Sequence, residues 1–174
     1  GQQTKRTFRV LPNPGIDAPA DAYSSQQEAL KQIDAAIRDM HKAVGQLRKV
    51  TAQLNSYQSL LEGNEKAEPL LEKGEALKER ITQWEESLIQ PKQKTFQDVI
   101  NFNNQLNAEL MYLKGFIDSA DPKVTEGAKS RLQDLKTDWN IYQKERDAII
   151  DNEMKAYNAQ YRQLNIPAII LDEE

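Results

Sequence analysis

The feature that most constrains this chain is a run of apolar residues spaced three and four positions apart over about forty residues. Between Leu30 and Leu47 the two spacings alternate without a break. This periodicity predicts an amphipathic α-helix with an apolar stripe along one side. A helix from residue 19 to about 62 is roughly 65 Å long, at about 1.5 Å per residue. Because the stripe must be shielded from water, the rest of the chain is expected to cover it.

Three further helices are predicted by the same spacing, over about 65–89, 101–119 and 122–164. Gly63-Asn64 is typical of a helix stop followed by a new N-cap. Asp121-Pro122 is predicted to supply the N-cap and first residue of the fourth helix. The longest connection, residues 90–98, follows the second helix.

Two local irregularities interrupt these patterns. Gly74 lies on the apolar stripe of the second helix and costs about 1 kcal/mol of helix propensity. We therefore expect a neighbouring helix, or a large side chain on it, to come close there. In the fourth helix the apolar spacing slips between Tyr142 and Ile150. Asn165 is expected to cap that helix at its C-terminus.

The order of long, short, short and long helices predicts an all-α fold. We expect an antiparallel up-down-up-down four-helix bundle, because short loops join neighbouring antiparallel helices. The two long outer helices, the first and the fourth, would then extend beyond the bundle as a two-helix stalk. The connection 90–98 would lie where the bundle becomes the stalk.

The bundle domain is expected to cover residues 19–171. Residues 1–18 form a β-like leader, since apolar and polar residues alternate over Thr7–Leu11. This leader is either without structure or the last strand or linker of a preceding domain. The apolar tail 166–171 is expected to pack down, and the acidic tail 172–174 to be solvated. Because the chain opens on Gly1 without a Met, we expect a processed protein or an excised fragment.

Composition lowers the expectation of several functions. The net charge is −4, and lysines and arginines are mixed with acids without a basic stripe, so no nucleic-acid partner is expected. No apolar run reaches the ~18–20 residues of a membrane span. The chain has no cysteine, which excludes disulfides, thiolate metal sites and cysteine nucleophiles.

Catalytic or metal-binding residues are not indicated by the sequence. The single histidine, His41, has Arg38 three positions before it, so the Glu-x-x-His pattern of di-iron bundles is missing. The many carboxylates fall at predicted solvent-facing positions, and no phosphate-binding glycine loop or nucleophile motif is present. We therefore expect no catalytic residue, no cofactor and no metal.

A few residues are candidates for contact with a partner or a glycan. The antiparallel stalk would bring Tyr23 close to Tyr157 and Tyr161, and tyrosine rings can stack on a sugar or a protein. The same three rings would equally close a narrow apolar seam. On the long connection, Lys92 and Lys94 are either partner contacts or solvated.

Several short motifs together resemble a known family. They are Gln90-Pro91-Lys92, Gln97-Asp98, Asn101-Phe102, Leu106-Asn107 and Asn165-Ile166-Pro167-Ala168. Over roughly residues 19–170 they resemble the C-terminal helical region of large bacterial proteins with sortilin-like or BNR-repeat β-propellers. That family is often labelled glycosyl hydrolase or exo-sialidase-like.

The resemblance implies an exported parent protein, periplasmic, outer-surface or secreted, with a propeller before this region. It implies a non-catalytic accessory or interaction module, whose partners would be the preceding domains, a second copy, or a glycan or cell-surface protein. One alternative is an integral part of a carbohydrate-active hydrolase that helps to bind glycan. Another is a free-standing coiled-coil adaptor or dimerisation domain. The resemblance assigns no catalytic residue to this chain.

Overall fold

The computed structural model describes residues 3–166, and the fold over this range is all-α, without strands. The α-helices are α1 (Ala22–Leu61), α2 (Glu68–Leu88), α3 (Leu106–Ile117), α4 (Glu126–Ala148) and α5 (Lys155–Gln163). A π-helical segment, Ile149–Met154, joins α4 to α5 into one long rod, and short 3-10 turns lie at Glu65–Ala67 and Phe96–Ile100. The predicted fold class, an all-α helical bundle with long first and last helices, is confirmed.

α1 is the spine of the molecule. Its predicted apolar stripe is buried or half-buried along the whole helix, from Leu30 through Met40 to Leu61. The helix stops at Gly63, whose φ of +82° is readily accessible only to glycine. Asn64 then caps the following 3-10 turn, since its Oδ1 accepts from the Lys66 N–H at 3.1 Å.

α2 and α3 both run antiparallel to α1, one after the other along its length. Glu85 of α2 contacts Arg48, and Lys78, seven residues earlier, contacts Asn55, seven residues later. The same reversed register holds for α3, where Asn107 contacts His41 and Lys114 contacts Asp34. The second and third helices therefore lie in line as one interrupted rod.

The rod formed by α4 and α5 runs parallel to α1. Lys136 of α4 donates to Gln32 at 2.8 Å, and Tyr161 of α5 packs on Tyr57 with ring centroids 5.2 Å apart. Both pairs are 104 residues apart in sequence. A constant offset over 25 residues defines two parallel helices in register.

The bundle consequently has three helices in cross-section and not four. At one end α1 packs with α3 and α4, and at the other α2 packs with α1, the π-helical segment and α5. The predicted course was wrong in this respect: helix 3 continues in the direction of helix 2, so helix 4 does not lie antiparallel to helix 1. No two-helix stalk forms among residues 3–166, because α2 and α3 together cover almost the whole length of α1.

The third and fourth helices begin later than predicted. Helix 3 starts at Leu106 because the carbonyls of Phe102 and Asn103 accept from the side-chain amides of Gln93 and Gln90, at 2.8 and 3.2 Å. These contacts hold the backbone before Leu106 in a non-helical course.

The fourth helix is capped by Thr125, whose Oγ1 accepts from the Ala128 N–H at 3.2 Å. Asp121 instead closes a turn, accepting from the Lys123 N–H at 3.0 Å. Pro122 is fully buried within this turn.

The slip in apolar spacing after Tyr142 coincides with the π-helical segment. A π turn takes one more residue than an α turn. Ile149 and Tyr157, eight positions apart, are therefore both buried on the bundle side. Asn165 ends the rod with a φ of +49°, as expected for a helix C-terminus.

Both tryptophans belong to the core of the bundle. Trp84 and Trp139 are buried, and Trp84 Nε1 donates to the Tyr142 carbonyl at 2.8 Å. At Gly74 a Cβ would lie 3.2 Å from Tyr157 Cε2, so the expected close approach is made by a tyrosine ring.

Outside the bundle, Thr7–Leu11 has no regular secondary structure, and Phe8, Val10 and Leu11 are exposed. Ile166 packs against the core, while residues 167–171 and the acidic tail 172–174 lie outside the described range. None of the helices described is both long and apolar enough to cross a membrane.

Candidate functional site

α3 is apolar on two opposite faces. Its inner face packs into the bundle through four buried residues, Leu106, Leu110, Leu113 and Ile117. Its outer face carries Met111, Tyr112 and Phe116, whose exposed fractions are 57, 66 and 63 %. At about 100° per residue Met111 and Tyr112 lie on the side opposite the buried residues, and Phe116 lies at about 90° to the buried stripe. Three large apolar side chains on solvent form a contiguous patch of the kind that marks interaction sites.

Gly115 makes a notch in this patch. No atom lies within 4 Å of the position that a Cβ of Gly115 would occupy. Together with Met111, Tyr112 and Phe116 it lines an open depression of about 500 Å³. We call these four residues the outer α3 face. Its shape, one notch between large side chains, can receive a protruding side chain from another surface.

Polar contacts fix α3 to its neighbours on both sides of the outer α3 face. On one side Glu109 pairs with Arg131 of α4 at 3.0 Å. On the other side Lys114 pairs with Asp34 of α1 at 2.7 Å, and this hydrogen bond and the attraction of opposite charges raise the pKa of Lys114. The charges beside the face are thus neutralised within the chain, and the face itself has no ionisable side chain except the Tyr112 hydroxyl.

The α2–α3 connection, residues 89–105, is held by its own polar contacts. Gln93 Nε2 donates to the Phe102 carbonyl and to Asn104 Oδ1, at 2.8 and 3.2 Å. Asp98 Oδ2 accepts from the N–H groups of Lys94 and Thr95, at 2.8 and 2.7 Å. These two bonds hold the pKa of Asp98 below its ordinary value. The connection is therefore an ordered protrusion beside the N-terminus of α3, and it exposes Ile100 by 83 %.

The predicted cluster of Tyr23 with Tyr157 and Tyr161 does not form. Tyr157 and Tyr161 lie with Tyr57 at the far end of α1, about 50 Å from Tyr23 at ~1.5 Å per residue, because α1 and α5 are parallel. Tyr157 is buried, which raises its pKa, while Tyr23 and Tyr161 are half-buried. Tyr157 and Tyr161 pack with Tyr57 along the apolar seam of the bundle, and Tyr23 lies apart from them.

Lys92 and Lys94 are exposed on the connection. The Lys92 ammonium lies over the Phe102 ring, 5.8 Å from its centroid, in cation–π geometry. Lys94 contributes its backbone N–H to the Asp98 carboxylate. Both lysines thus have local contacts, and neither contributes to the outer α3 face.

Other clefts and ionisable groups offer less. A groove of about 610 Å³ between the starts of α1 and α4 is lined by a mixture of polar and apolar side chains, among them Ser25, Leu132 and Lys136. His41 is exposed and hydrogen-bonded to Asn107 Oδ1 at 2.8 Å. Over residues 3–166 no group of three or more histidines or carboxylates is arranged to hold a metal ion.

Compared with known proteins, the chain matches no family model, no curated protein and no solved structure.

The spacing of apolar residues in the sequence already indicates the outer α3 face. Met111, Tyr112, Gly115 and Phe116 repeat the one-turn spacing of a helical stripe, offset from the inner stripe by roughly a quarter to half a turn. A 12-residue helix with two such stripes is more apolar than one buried face requires. This excess of apolar residues is the sequence signal for a second, exposed apolar face.

Proposed function

We propose that this chain is a non-catalytic helical interaction module that binds another protein surface through the outer α3 face. The observation that carries this proposal is the exposure of Met111, Tyr112 and Phe116 on a helix whose opposite face is fully packed. Leaving these side chains on water costs about 25 cal/mol per Å² of apolar area relative to covering them. A partner that covers them recovers this free energy.

The rigidity of α3 supports the same proposal. The helix is fixed at its sides by the Glu109–Arg131 and Lys114–Asp34 pairs, and at its end by Gln26, which binds the Ile117 carbonyl at 2.8 Å. A surface that is ordered before binding loses little conformational entropy when a partner docks.

The setting of the module rests on sequence resemblance alone. The Gln-Pro-Lys, Asn-Phe and Asn-Ile-Pro-Ala motifs support a place after the propeller of an exported bacterial protein, periplasmic, surface-attached or secreted. In that setting the preceding domains of the same polypeptide, or a cell-surface protein, are candidate partners, and any hydrolase activity resides in the propeller.

Photo-cross-linking in cells that produce the parent protein tests the docking surface. A photoreactive amino acid replaces Tyr112 in one variant and Ile141, an exposed apolar residue of α4, in a matched control. We expect a defined protein adduct from position 112 and little from position 141. No adduct at position 112, or equal adducts at both positions, would contradict the proposal.

A further inference from the structure

We infer that the partner of the outer α3 face is a second copy of this chain, bound in a symmetric dimer whose two-fold axis passes near Gly115. This inference rests on the proposed function and specifies which protein covers the outer α3 face. It follows from the shape, the charge and the area of the face.

The shape of the face is self-complementary. A two-fold interface brings the same patch of both copies together, so every protrusion must meet a matching recess on the same patch. The outer α3 face has both, since the rings of Tyr112 and Phe116 flank the open notch at Gly115. In an antiparallel pair of α3 helices that cross at Gly115, the two notches face each other, and the aromatic rings of both copies pack together beside them. Glycine at the crossing point lets the two backbones approach closely.

The charge distribution also permits two identical surfaces to meet. An interface between unlike proteins commonly pairs a positive patch with a negative one. Here the central face is uncharged, and Glu109 and Lys114 beside it already have partners, Arg131 and Asp34, within the same chain. Two copies can therefore approach without placing unpaired like charges against each other at the centre of the face, and the exposed carboxylate of Asp118, three positions after Gly115, stays on solvent at its edge.

The exposed area predicts a weak dimer. Met111, Tyr112 and Phe116 expose on the order of 400 Å², taking about 150–250 Å² as the full area of an aromatic side chain. A standard stable interface buries about 800 Å² from each partner. The apolar centre thus supplies about half of that area, and dissociation is expected in the micromolar range or above. The exposed leader residue Phe8, 84 % accessible, does not cover the face in the single chain.

Sedimentation equilibrium of the purified chain, from about 1 µM to 1 mM, tests the dimer. We expect a reversible monomer–dimer equilibrium that added salt does not weaken, because the contact is apolar. The double variant Tyr112→Ser/Phe116→Ser should raise the dissociation constant at least ~100-fold, since buried aromatic side chains dominate most interfaces. The matched control Ile141→Ser, on α4, should change it less than about threefold.

Gly115→Ala separates the dimer contact from the stability of the fold. The new Cβ meets no atom within 4 Å in the single chain, so the melting temperature should rise or stay the same. The same methyl group fills the notch and should weaken dimerisation at least ~10-fold. A variant that loses dimerisation because it unfolds would show the opposite change in melting temperature.

A chain that stays monomeric up to 1 mM would overturn the dimer. So would a dimer whose dissociation constant is unchanged in the double variant. If the chain is monomeric but position 112 cross-links to a different protein in cells, the proposed function stands and the second copy is ruled out. If neither association is seen, both proposals fail.

Discussion

Gln26 of α1 joins the start of the first helix to the end of the third. Its buried side-chain amide donates to the Ile117 carbonyl at 2.8 Å and to the Ser119 carbonyl at 3.0 Å, across 91 residues of sequence. The two carbonyls lie at the C-terminal end of α3. The last carbonyl groups of a helix have no partner within the helix, so they need donors from elsewhere. The contact fixes α3 against the end of the bundle from which the leader emerges.

Replacing this amide should destabilise the protein. Gln26→Ala removes the side-chain donor from the Ser119 carbonyl and one of the two donors from the Ile117 carbonyl, and is expected to cost about 1–3 kcal/mol of unfolding free energy. Gln27→Ala, at the exposed neighbouring position, should stay within about 0.5 kcal/mol. Urea denaturation followed by circular dichroism measures both, and equal midpoints would show that the amide bonds do not stabilise the fold.

A charge placed on the inner face of α3 should act very differently from one on the outer face. Leu113→Asp puts a carboxylate at a buried position and should cost several kcal/mol or unfold the bundle. Met111→Asp, two residues earlier on the exposed side, should cost no more than about 1 kcal/mol, mainly in helix propensity. Thermal melts compare the two, and similar losses would mean that the two faces are wrongly assigned.

The parallel course of α1 and the last rod can be measured directly, because the chain has no cysteine to interfere with spin labelling. Labels at Ser59→Cys and Arg162→Cys should be within about 25 Å, since Tyr57 and Tyr161 are in contact. Labels at Gln27→Cys and Arg162→Cys should be at least about 45 Å apart. Double electron–electron resonance reads both distances. A longer distance for the Ser59–Arg162 pair than for the Gln27–Arg162 pair would contradict the parallel course and support the predicted antiparallel stalk.

The α2–α3 connection should loosen at acid pH. Hydrogen bonds from the Lys94 and Thr95 N–H groups hold the pKa of Asp98 below its ordinary value. A carboxyl group with a lowered pKa in the folded state contributes stability above its ordinary pKa and loses it as the pH falls through the lowered one. The protection of the Lys94 and Thr95 amide protons, measured against the exchange rate of the unfolded chain at the same pH, should therefore persist near pH 4 and be lost at more acidic pH. In Asp98→Asn the exchange should be faster already near neutral pH. Equal exchange in both proteins would contradict the contact.

Local features of the fold were accessible from the sequence because they depend on helical periodicity. The stripes of α1 and α2, the close approach at Gly74, and the buried tryptophans Trp84 and Trp139 all follow from residues one turn apart. The π-helical segment also appeared in advance, as a slip in spacing after Tyr142, although its helical type did not.

The direction of the third helix relative to the second could not be predicted from helical periodicity. Whether helix 3 turns back beside helix 2 or continues in line is decided within residues 89–105. There Gln90 and Gln93 bind the Asn103 and Phe102 carbonyls and set the direction of exit. Glutamine side chains carry no directional signal in sequence. The wrong direction of helix 3 therefore led to the incorrect prediction that Tyr23 lies close to Tyr157.

The most direct test of the central claim, that the outer α3 face is covered when the protein works, is the oxidation rate of Met111. The chain has three methionines, and Met40, fully buried, serves as the internal reference. Hydroxyl-radical footprinting with mass spectrometry gives the rate in the parent protein in its cells and in the dilute purified chain. We expect Met111 to be oxidised rapidly in the dilute chain and to be protected at least ~5-fold in cells, with Met40 slow in both. Equal oxidation of Met111 in both settings would contradict the account.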